Sequence, residues 1–182
     1  MSALLGFSRA VDRVNAIFGE AASWMVLLSC AISAGNATIR YGIHYSSNAW
    51  LEVQWYLFGG TVMLGAAYTL LRNEHVRVDL VFGSLSQRAK LWVDVFGLVL
   101  FLLPAMSMLA WMTLPFFLDS FLRGEMSSNA GGLILWPAKI LLPVGFTLLT
   151  LQGLSELVKR VALLRGIDPH AEVVTEYHRP DQ

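Results

Sequence analysis

Charge is scarce in this chain: 14% of its 182 residues are Asp, Glu, Lys or Arg, where a soluble domain carries about a quarter. The single cysteine, Cys30, excludes an intramolecular disulfide. Net charge is zero, so the chain lacks the basic excess that a nucleic-acid binder sets against phosphates. The four histidines, His44, His75, His170 and His178, fall in loops or the tail. A haem bundle needs axial ligands inside its helices, and no Cys/His spacing suits zinc, so no cofactor is expected. Ionisable groups at mid-membrane depth are also missing. Glu20, Glu52, Asp94, Lys139 and Glu156 each lie within about two helical turns of the end of an apolar run. The run centres hold only weak hydrogen bonders such as Ser29, Ser33, Thr61, Ser107 and Thr147. Nothing there suits an ion path or a catalytic group.

What the chain has is apolar length. Hydrophobic residues make up 55% of it, in four long runs: Ile17 to Ile39, Glu52 to Leu71, Leu91 to Leu118 and Leu133 to Val158. About 20 residues at 1.5 Å rise cross a hydrocarbon core of about 30 Å. The pattern predicts an all-α membrane protein of four transmembrane helices in one domain, residues 1–165, followed by a polar tail, 166–182. The third and fourth runs exceed the core, so tilting or kinking is expected there. Pro104, Pro115, Pro137 and Pro143 are the candidate kink points.

Basic residues set the direction. Arg9 and Arg13 precede the first run, Arg72, Arg77, Arg88 and Lys90 lie between the second and third, and Lys159, Arg160, Arg165 and Arg179 close the chain. Only Arg40 and Arg123 occupy the opposite loops. The positive-inside rule therefore puts both termini and the middle loop in the cytoplasm. Trp50, Trp55, Trp111 and Trp136 suit the outer interface, and Trp92 the inner one.

Shorter segments carry their own expectations. Leu4, Phe7, Val11 and Val14 recur at helical spacing, which suits a short interfacial amphipathic helix. Val76, Val78 and Leu80 alternate with polar residues as an extended strip does. Ser84-Leu85-Ser86-Gln87 reads as a capping box for the next helix, and the tail beyond Arg165 reads as mobile. Leu27-Leu28-Ser29-Cys30 has the outline of a lipobox. The apolar run continues nine residues past Cys30, however, so an uncleaved anchor is the better reading.

Small residues four apart, Thr61/Gly65/Thr69 and Ala31/Gly35, predict close helix packing rather than a hinge. Lys139 lies in the outer half of the fourth run, level with Glu52 at the start of the second. It either pairs with Glu52 or snorkels to the lipid headgroups.

One segment carries a family likeness. Glu52 heads the second run through Trp55, Tyr56 and Leu57, and 19 uncharged residues follow it. Gly65-Ala66-Ala67-Tyr68 then leads through Arg72 to His75-Val76-Arg77-Val78-Asp79-Leu80. With Trp136-Pro137 opening the fourth run and Glu156 to Lys159 closing it, residues 10–160 resemble the small membrane subunit of tripartite ATP-independent periplasmic (TRAP) transporters, the DctQ-like family. The resemblance implies a non-catalytic subunit in a bacterial inner membrane. It implies a large multispanning partner that carries sodium and substrate sites and moves as an elevator, and a periplasmic binding protein that delivers a solute, commonly a carboxylate. On it, Glu52, Trp55, Gly65, Tyr68, Arg72, His75, Arg77, Asp79 and Lys139 become candidate structural or subunit-interface residues. The alternative is an independent homo-oligomeric transporter or channel, which calls for polar residues at mid-span.

Overall fold

The computed structural model describes residues 2–45, 47–75, 83 and 85–167. The expected strip Val76–Leu80, the first serine of the expected capping box and the tail 168–182 lie outside that range.

Helix α1 (Ser2–Ile43) is one unbroken rod of 42 residues, about 63 Å long. That is twice the hydrocarbon thickness, so the expected amphipathic segment is helical but continues straight into the span. Its inward stripe is also not the expected apolar one. Ser8, Val11, Asn15, Gly19 and Ala22 are buried, while Leu4, Phe7 and Val14 are exposed. The stripe keeps the 3–4 spacing of an amphipathic helix but is built from small and polar residues.

Helix α2 (Asn48–Leu71) starts at Ser47, whose side chain accepts the Ala49 amide, and is followed by Asn73 in the left-handed region. Helix α3 (Gln87–Arg123) is capped by Ser86, whose hydroxyl accepts from Ala89 N–H. The cap is thus two residues later than the expected box. Between Leu98 and Leu102 the helix widens to a π turn, in which Leu103 N–H reaches Leu98 C=O. Pro104 explains it: a proline ring crowds the carbonyl four residues back, and a π bulge relieves that contact. Gly124, at φ 60°, ends α3 with Glu125 N–H bonded to Ser120 C=O, the closure a Schellman motif provides.

Helix α4 (Trp136–Leu164) opens with Pro137 in its first turn. It loosens at Ile140, where the nitrogen of Pro143 cannot donate to the Lys139 carbonyl. By length and composition, α1, α3 and α4 are each apolar enough to cross a membrane. Helix α2 spans about 36 Å and is interrupted by Gln54, Tyr56, Thr61, Tyr68 and Thr69. Four long helices and no strand among the described residues make this an all-α membrane protein.

Helix α4 is the hub. It packs on α1, α2 and α3; α1 lies along α2, and α3 is held chiefly by α4. The core joins Ala22, Leu64, Ala67 and Leu148, with Phe18, Met25 and Val144 around them. Glycine sets the spacing. A Cβ at Gly145 would stand 2.6 Å from the Met63 carbonyl oxygen, and one at Gly19 would enter the Tyr68 ring. In lipid, where apolar transfer drives no helix association, such close backbone approach is what holds helices together.

Candidate functional site

Two polar assemblies sit at opposite ends of the bundle. At the end shared by the α1–α2 and α3–α4 connections, Glu52 in the second turn of α2 is buried. Its Oε1 accepts from Asn129 Nδ2 (2.8 Å) and from Ser127 Oγ, and its Oε2 accepts from Leu133 N–H (2.7 Å). The α3–α4 loop folds back through the Met126↔Ile134 bridge to present those donors. Asn48 and Tyr56 add bonds to the Ala130 and Ile134 carbonyls. Three donors to one carboxylate offset the cost of burying it. Glu52 therefore fastens a loop to a helix.

Lys139 does not pair with Glu52, nor does it snorkel. Its side chain is only 16% exposed, and its ammonium bonds to Glu125 and lies 4.1 Å from the centre of the Phe116 ring. The reason is geometric. Glu52 is saturated by the loop, while the turn after Gly124 brings Glu125 to the start of α4. Lys139, bonded to it, holds the Glu125 carboxyl below the usual carboxylate range.

At the other end, α1, α3 and α4 share a dense network. Asn15 Nδ2 donates to Gln152 Oε1 (2.7 Å), and Gln152 Nε2 donates to Asp12 and Glu156 (3.0 Å each). Ser155 gives its proton to Asp12 (2.9 Å), so Ser8 donates to Ser155 (2.6 Å). Lys159 bridges Asp12 (2.7 Å) and Glu156 (2.9 Å). Arg160 bonds Glu156 and, through Nε, Asp94 of α3 (2.8 Å). Ser8, Asn15, Gln152, Ser155, Glu156 and Arg160 are all buried. A lone buried charge costs several kcal/mol, yet here each ionised group meets at least one charge of opposite sign. The arrangement suits clamping, since its donors and acceptors face one another.

The remaining candidates scatter. Gly65 faces Ala22 across the α1–α2 seam, and Tyr68 covers Gly19. Trp55 is 71% exposed. Arg72 makes a 3.7 Å contact to Glu74 with both side chains well exposed, a pair worth little. His75 borders a shallow cavity of about 420 Å³ over the same seam. Arg77 and Asp79 lie outside the described residues.

Charge-based reading of the runs passes over Asn15 and Gln152, which are uncharged, and treats Glu156 and Lys159 as end-of-span marks. The available signal is spacing. Gln152, Ser155, Glu156 and Lys159 share one face of α4, as Ser8, Asp12 and Asn15 share one face of α1. Two polar stripes inside apolar helices have each other as natural partners.

The family model of the DctQ component of tripartite ATP-independent periplasmic transporters matches residues 25–163. The chain belongs to the DctQ family. It is therefore a TRAP transporter component and not an enzyme. Comparison with curated proteins and with solved structures gave no match. The DctQ match takes in the Glu52 cradle and all of the network's α3 and α4 side chains, but none of its α1 partners, Ser8, Asp12 and Asn15, which precede it.

Proposed function

We propose that this DctQ subunit is a static brace for the large TRAP membrane subunit, which imports a solute, a carboxylate by the family likeness, together with sodium. It sits in the bacterial inner membrane with both termini in the cytoplasm, surrounded by lipid. The large subunit works with a periplasmic binding protein that delivers the solute.

The network joining Asp12, Gln152, Glu156, Lys159, Arg160 and Asp94 is the observation that carries this reading. It spends the buried polar groups on one another and ties three helices into one body. A partner that moves needs a frame that does not, and buried, mutually bonded polar groups make a stiff one. The exposed apolar sides of α1 and α3, with Trp24, Trp92 and Trp111, suit contact with another membrane chain or with lipid.

The test is co-expression with the neighbouring large subunit and uptake in proteoliposomes. The two chains should co-elute, and uptake should need both together with the binding protein. Uptake by this chain alone, or undiminished uptake by the large subunit without it, overturns the reading.

A further inference from the structure

Of the two carboxylates on α1, Asp12 joins the network and Glu20 does not. Glu20 is exposed, and among the described residues none bonds to it or pairs with it. At about 100° per residue, it stands nearly opposite the buried Asn15 and Ala22, so it points away from α2 and α4. Its depth follows from the packing. Ala22, two residues on, shares the core with Leu64 and Leu148. Leu64 is about 12 Å from Arg72 along α2, and Leu148 is about 12 Å from Glu156 along α4. Glu20 therefore lies about 9 Å inside the level of Arg72 and Glu156. Counted along the sequence it is one turn inside its apolar run, which begins at Ile17. The count understates the depth, because α1 carries its network side chains at Ser8, Asp12 and Asn15, before that run. Hydrocarbon offers a carboxylate no donor. Lysine and arginine escape by snorkelling on stems of three or four methylenes, and glutamate has only two. Arg13, the nearest cation on the same stripe of α1, is two turns away.

We propose that the Glu20 face of α1 receives a helix of the large TRAP subunit that carries a lysine or arginine at the same depth. The charge selects the occupant. Lipid tails cannot neutralise a carboxylate. A second copy of this chain, related by rotation about the membrane normal, would bring equal depths together and set Glu20 against Glu20. A basic side chain on a partner helix neutralises two charges that are each costly alone in hydrocarbon. Ala16 and Ser23, one turn to either side, are exposed and short, which leaves room for that long side chain. Exposed Trp24 and Leu27 border the place with apolar surface. The inference rests on the reading of this chain as the large subunit's partner, and it names the contact between them.

The test is co-purification of the tagged full chain with the co-expressed large subunit in detergent, beside thermal unfolding of the chain purified alone. Glu20→Leu and Glu20→Lys should each lower recovery of the large subunit on the order of tenfold or more. Glu20→Gln, which keeps the shape and loses the charge, should lower it too. Unfolding of the chain alone should stay at the wild-type temperature or above it in Glu20→Leu, because the side chain touches nothing in its own bundle. The apolar variant keeps the test decisive if the lysine variant fails to fold. A photoreactive benzophenone side chain placed at Trp24 should cross-link to the large subunit. Undiminished recovery with Glu20→Leu overturns the proposal and leaves the carboxyl neutral in lipid. Undiminished recovery with Glu20→Gln overturns the basic partner in favour of a plain hydrogen bond, and cross-linking only between copies of this chain overturns the occupant. Each of these leaves the brace reading standing. A wild-type chain that recovers no large subunit overturns the brace reading itself.

Discussion

Arg160 of α4 donates from Nε to Asp94 of α3 at 2.8 Å while its Nη1 holds Glu156 one turn back on its own helix. One guanidinium thus fixes the spacing of two helices, which its planar fork suits better than a lysine would. Because both carboxylates are nearly buried, the pair matters most when only one side of it is removed.

Arg160→Ala should destabilise the protein by about 3–5 kcal/mol, the usual cost of leaving a buried partner unpaired. Asp94→Asn should cost less, because Arg160 keeps Glu156. Thermal unfolding in detergent, followed by circular dichroism, checks the order. A larger loss for Asp94→Asn than for Arg160→Ala would contradict the assignment of Arg160 as the bridging group.

Gln152→Leu removes the acceptor of Asn15 and a donor to both Asp12 and Glu156. A cost of about 1–3 kcal/mol follows from the stranded buried groups. Adding Asn15→Leu should recover part of it, since two apolar side chains leave no amide unsatisfied at that contact. The double-mutant cycle reads the coupling, and strictly additive losses would show that the two amides do not interact.

Glu52→Ala should release the loop between α3 and α4 without melting the helices. Ser127, Asn129 and the Leu133 amide lose their shared acceptor. Hydrogen exchange at Leu133 and protease cleavage near Asn129 should both accelerate, and helical content should stay. Lys139→Met should leave exchange at Leu133 close to wild type, because Lys139 serves Glu125.

The Glu125 carboxyl is held below its ordinary value by Lys139. A depressed folded-state value means that its contribution is fully present above the unfolded pKa of about 4.3 and is lost as pH falls through the lower folded value. Thermal stability should therefore be insensitive to this pair at pH 6–8 and should drop in acid. Glu125→Gln should lower stability at neutral pH and reduce the part of the acid drop due to this pair. An unchanged acid profile in Glu125→Gln would remove the pair from the explanation.

Gly145→Val should push α2 from α4, because even a Cβ meets the Met63 carbonyl oxygen at 2.6 Å. Overpacking of this kind costs about 1–3 kcal/mol or more. Gly97→Ala, with open space at its Cβ, should stay near wild type. Paired melting curves of the two variants make the comparison.

Sequence alone determined the solvent and the elements. Apolar length is one-dimensional: 1.5 Å per residue against a core of about 30 Å decides helix number whatever the helices later touch. The Glu52 to Leu80 segment likewise carried the family, because that likeness is read from neighbouring residues in order. Tertiary structure alone decided the partners. Lys139 and Glu52 start their helices at one end of the bundle, and only the return path of the loop gives Glu52 to Leu133 and Lys139 to Glu125. Asn15 and Gln152 are 137 residues apart and look idle in sequence, since an uncharged amide marks neither a span end nor an orientation. What joins them is the rotation of α1 and α4 about their axes. That rotation is set by which glycines and small side chains let two backbones approach, a property of facing surfaces that no single run of residues contains.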